Sequence, residues 1–173
     1  HQYLTFNVKS GAYVQLANRN FELGKDGKLT VEGGSVLDFG FNGTSPLLVA
    51  ISGSQTGTQF ASLQNSTLKI TSPDGITTTS GTGAGIGNVQ VPASYRNYDQ
   101  TATFWYIGKQ NQVTGNGITT ASTGKIIICE LIDNNTELMF SNSTGITNNT
   151  TVSTTGGKLD IRKGKVIETT TEY

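Results

Sequence analysis

The sequence has 173 residues, with 12 Lys+Arg against 12 Asp+Glu, so its formal net charge is zero. Charged residues make up 14%, against roughly 25% in ordinary soluble proteins, which excludes an electrostatic footprint for nucleic acid or anionic lipid. The length suits one domain with a substantial core, and a surface of Ser, Thr, Asn and Gly with few carboxylates to keep ionised reads as extracellular and tolerant of pH.

A strand pattern runs from the start. In His1 to Lys9, Leu4, Phe6 and Val8 fall on one face and Tyr3, Thr5 and Asn7 on the other, the period of two that a half-buried strand requires. Termini fray unless something ties them down, so this strand pairs with its own domain or with another molecule. Short apolar or alternating runs follow, each fenced by turn residues. They are Ala12–Ala17, Asn20–Leu23 and Leu29–Glu32, with Asp26-Gly27 as the best hairpin signal. Next come Ser35–Phe41 and the apolar run Leu47–Ile51, which reads as buried on both faces. Gln59–Gln64 is the best candidate for a helical turn. Thr67–Thr71 leads into the turn Ser72-Pro-Asp-Gly75, and Thr101–Ile107 carries Phe104, Trp105 and Tyr106. Lys125–Ile132 is the most apolar strand, followed by Glu137–Phe140, then Lys158–Arg162 and Lys165–Thr170 joined at Lys163-Gly164.

Many short strands with turn signals between them predict an all-β fold, a single antiparallel β-sandwich of Ig-like or jelly-roll type. The β-branched composition suits a pleated surface. The Ser/Thr/Gly/Asn stretches at 77–88 and 142–157 read as long loops, and no stretch is long and apolar enough to span a membrane.

The residues offer little chemistry. Gly81 to Gly87 lacks the following helix or Lys-Ser/Thr pair that a phosphate loop needs, and Pro92 closes the run. His1 is the single histidine, which removes Ser-His and Cys-His nucleophile systems and a two-histidine copper site. The carboxylates are scattered singly, with Asp26, Asp74 and Asp133 in turn contexts, so neither a glycosidase pair nor a calcium loop is visible. Cys129, alone, reads as a small buried hydrophobe. No catalytic residue, metal or cofactor is therefore expected. Six N-glycosylation sequons begin at Asn42, Asn65, Asn134, Asn142, Asn148 and Asn149, all at or near predicted turns where glycans can project.

The terminal strand has two readings. Either it is an ordinary edge strand of its own domain, or it is a donor strand that fills a groove in the next subunit through Tyr3, Leu4, Phe6 and Val8. Ser10 and Gly11 supply a hinge for donation, which divides the chain into 1–10 (donor strand and hinge) and 11–173 (β-sandwich). Head-to-tail contacts of this kind do not close and propagate into fibres.

The start without Met, the apolar N-terminal strand, the all-β body without cysteine pairs and the crowd of sequons together resemble the thread-type extracellular filaments of archaea. The chain is less similar to camelysin-type biofilm fibres and archaeal bundling pili. The resemblance implies a non-enzymatic, N-glycosylated structural subunit of a cell-surface filament, exported with a cleaved signal peptide. It further implies polymerisation with identical neighbours by donor-strand complementation, for adhesion or biofilm formation. The alternative is a monomeric secreted carbohydrate- or receptor-binding module that stacks ligands on Trp105, Tyr95 or Tyr98.

Overall fold

The computed structural model describes residues 4–51, 57–77, 86–99, 101–115, 126–140 and 158–168. The chain is all-β, with a short 3-10 turn at Ala93–Tyr95. Its strands wind in successive coils. The first coil holds β1 (Thr5–Val8), β2 (Tyr13–Gln15) and β3 (Phe21–Leu23), and the second β4 (Lys28–Val31), β5 (Val36–Asp38) and β8 (Val49–Ile51). A small hairpin, β6 (Phe41–Asn42) and β7 (Ser45–Pro46), projects between β5 and β8. The third coil carries β9 (Gln59–Ser62) and β10 (Thr67–Ile70), and the fourth β11 (Arg96–Tyr98), β12 (Thr103–Tyr106) and β13 (Gln112–Val113). Then follow β14 (Ile126–Glu130) with β15 (Glu137–Phe140), and β16 (Lys158–Lys163) with β17 (Lys165–Glu168).

Equivalent strands of successive coils lie side by side. One sheet runs β1-β4-β9-β11, the longest runs β2-β5-β10-β12-β14-β16, and β3-β8 and β13-β15-β17 form the others. Every described ladder except the β6–β7 hairpin is parallel. The predicted antiparallel sandwich is therefore corrected to a parallel coil, although the all-β class stands. Parallel partners need a long connection between them, and here the remainder of each coil is that connection.

The corner between the first two sheets explains how the coil turns. Ala12, Ser35, Ser66 and Ala102 each donate their backbone N–H to the carbonyl three residues back, at 2.8, 3.1, 3.0 and 3.2 Å. The third residue of three of these turns is left-handed: Gly11 at φ 78°, Gly34 at 72° and Asn65 at 58°, where Gly and Asn carry the least strain. The corners also stack, with Gly11 N–H donating to Gly34 O and Gly34 N–H to Asn65 O. Two turns that read as strand-to-strand hairpins do this same bending. Asp26 is left-handed at φ 57°, but β3 and β4 on either side of it pair with other strands. Gly164, at φ 101°, likewise sends β16 and β17 into different sheets. Gln59–Ser62, expected as a helical turn, is strand β9.

Inward side chains stack in columns. Leu37, Leu68, Phe104 and Ile127 occupy matched positions, as do Ile70, Tyr106 and Cys129, and all are buried. Burial of each large aliphatic or aromatic side chain contributes about 1.5–3 kcal/mol. Ser62 interrupts the column Val8–Val31–Ser62–Tyr98, and its buried hydroxyl has no hydrogen-bond partner among the described residues. Removing an unpartnered polar atom relieves its desolvation cost. Ser62→Ala should therefore raise stability by about 1 kcal/mol, read as a higher melting temperature; a lower one would contradict this assignment.

Two buried phenols set an alkaline limit. The Tyr98 hydroxyl shares a 2.9 Å hydrogen bond with Thr77 Oγ1, and burial pushes its pKa up to about 12. Burial likewise raises Tyr106 well above its ordinary value, while its hydroxyl donates to Thr114 O at 2.8 Å. Both are raised above the unfolded value of about 10. The neutral folded forms thus stabilise fully below that pH, and the contribution is lost as pH rises through the folded values. Urea midpoints should hold up to about pH 10 and fall from there toward about pH 12, and Tyr98→Phe should flatten the fall.

Candidate functional site

The outward face of the six-stranded sheet gathers the exposed chemistry. Matched outward positions are Gln15, Asp38, Lys69, Trp105, Ile128 and Asp160. Asp38 accepts a hydrogen bond from Tyr13 Oη, one from Gln15 Nε2 at 3.1 Å and one from Gly40 N–H at 2.8 Å. Partial burial and the facing Asp38 carboxylate push the Tyr13 phenol up to about 12. Lys69 Nζ lies 4.4 Å from the Trp105 ring centroid and the Arg162 guanidinium 4.7 Å from it. Trp105 Nε1–H donates to Glu130 Oε2 at 3.1 Å, and Arg162 reaches Glu130 at 3.4 Å and Asp160 at 3.3 Å. Two cations and a carboxylate thus engage Trp105 within the protein, which leaves it a poor sugar-stacking platform. Tyr98 packs edge-on against Phe60 and Phe104 with a buried hydroxyl, while Tyr95 is half-buried beside a shallow hollow of about 300 Å³.

The second feature is the pair of terminal coils. In β2 and its continuation, Val14 and Leu16 are only half-buried although they head the interior columns. At the other end Leu159 is 37% and Ile161 52% exposed, and these continue the columns of Ile127 and Cys129. β2 and β16 are the two outer strands of their sheet.

The expected donor strand lies in cis. Thr5–Val8 pair in register with Lys28–Val31, Val8 is buried, and Phe6 packs on Phe21 at 5.3 Å. Leu4 is 46% exposed, and Tyr3 lies outside the described residues. Ser10 and Gly11, expected as a hinge, belong to the stacked corner; Lys9 Nζ pairs with Glu32 at 2.6 Å beside it. Among the sequons, Asn42 at the end of β6 and Asn65 and Asn134 in turns are exposed; Asn142, Asn148 and Asn149 lie outside the described residues. So does most of Gly81 to Gly87. Cys129 is buried, its thiol pushed up by burial. Among the described residues no group of three or more His, Cys, Asp or Glu could hold a metal ion, and no helix is long and apolar enough to cross a membrane.

No family model, curated protein or solved structure matches this chain.

Proposed function

We propose that this chain is a structural, non-enzymatic subunit of an extracellular cell-surface filament that grows head to tail and carries N-glycans on its outside. The observation that carries the reading is the exposure of interior-column residues at both ends of one parallel sheet. A further parallel strand laid along β16 would continue the ladder and cover Leu159 and Ile161. The same step would satisfy the outer edge of β2 in the next copy and cover Val14 and Leu16. Contacts between unlike ends propagate into a filament when their rotation does not close a ring, and stacking along one ladder direction is such a case.

Growth by edge addition differs from donation of β1. Withdrawing β1 would uncover Val8 and break four in-register pairs with β4, a loss that edge addition avoids. Exposed Asn42, Asn65 and Asn134 would set glycans on the filament's sides.

The test is electron microscopy of the purified chain beside Ile161→Lys. A charge on the outer strand opposes strand addition, and Ile161 is already half exposed, so the fold should survive, as checked by circular dichroism. Filaments in the parent and monomers in the variant are expected. Monodisperse particles in the parent, or equal filaments in both, would overturn the reading.

A further inference from the structure

We propose that a polar pocket in the first two coils is a saccharide-binding subsite. This goes beyond the filament reading and does not depend on it. The cavity measures about 600 Å³ and is open to solvent, within the range of small-ligand sites. One wall comes from the bend after β2 and the start of β3, with Asn18, Arg19, Asn20 and Glu22; the other comes from the β6–β7 hairpin and the chain after it, with Asn42 and Pro46.

The walls are held in place. Asn20 Oδ1 accepts from Leu48 N–H at 3.1 Å, and Asn42 Nδ2 donates to Asn18 O at 3.4 Å. Among the described residues each amide therefore keeps one polar end uncommitted: donors on Asn20, an acceptor on Asn42. From outside, Lys109 Nζ donates to Gly43 O at 2.9 Å and sits 4.3 Å from the Phe41 ring, bracing the hairpin.

The lining chemistry selects the ligand. Arg19 and Glu22 are exposed and, among the described residues, form no ion pair. Their charges cancel, so neither an anion nor a cation is favoured. Planar amide, guanidinium and carboxylate groups match the paired donors and acceptors of a vicinal diol, and the Pro46 ring offers an apolar surface to the C–H face of a pyranose. The class that fits is a neutral saccharide. Its source is either a free glycan or the glycan attached at Asn42, whose side chain is part of the rim.

The test uses the full chain, labelled with nitrogen-15, titrated with methyl α-mannoside, methyl β-galactoside and chitobiose. Made without glycans, the protein should show amide shifts confined to residues 18–22 and 42–47 with at least one of these sugars. The double variant R19A/E22A, altered only at exposed side chains, should weaken that binding about tenfold or more. Absence of shifts with all three sugars, shifts elsewhere, or equal binding by the variant would overturn the proposal. For the source, protein from a glycosylating host is compared with Thr44→Ala, which removes the Asn42 sequon. Binding of free sugar by Thr44→Ala alone assigns the pocket to the attached glycan, and equal binding by both assigns it to a free one.

Discussion

Asn88→Ala should lower the free energy of unfolding by at least about 3 kcal/mol, measured by urea denaturation. Asn88 is fully buried, and one side chain serves four partners. Its Oδ1 accepts the backbone N–H groups of Thr71 and Ser72, both at 2.9 Å. Its Nδ2 donates to Leu47 O at 2.8 Å and to Thr71 Oγ1 at 2.9 Å. Leu47 belongs to the second coil and Thr71 to the third, so the amide joins coils where the chain leaves its regular strands. Truncation would orphan buried donors and an acceptor, each worth about 1–3 kcal/mol. A loss under about 1 kcal/mol would mean that water replaces the amide and that these coils are not closed there.

Phe104→Ala should cost about 3–5 kcal/mol, with Phe104→Leu costing clearly less because more of the volume is kept. The ring is fully buried between Leu68 and Ile127 in the column. It also meets Tyr98 edge-on, with centroids 6.0 Å apart at 78°. Neighbouring coils fix the backbone on both sides, which limits collapse into the cavity. A penalty near that of a surface substitution would place Phe104 outside a continuous core.

Much of the local structure is legible in the sequence, and its connectivity is not. The alternation of Phe6 and Val8, the inward Phe104 and Tyr106, and the buried run Ile127 to Cys129 follow from period and apolarity, whereas Leu4, expected on the same face, is exposed. Turn chemistry also marks Asp26 and Gly164 as bends. These residues do not say which strand comes alongside: the same left-handed turn can fold a strand back on its neighbour or steer it into the next sheet. The missed signal is a repeated unit. Val8 to Leu16, Val31 to Phe39, Ser62 to Ile70 and Tyr98 to Tyr106 align, with Gly11, Gly34 and Asn65 at one position. Unequal stretches between the units, much longer before β9 and β11 than before β4, hide any fixed period. The pocket between the first two coils is illegible for a related reason: residues 18–22 and 42–47 meet only because one coil lies on the next.

Diffraction from oriented filaments of the purified chain tests the central claim, that parallel coils stack from one copy into the next, most directly. Strands lying across the axis and spaced by hydrogen bonding predict a meridional reflection at about 4.7–4.9 Å. Filaments lacking it, or a solution of monomers that form none, would contradict the account.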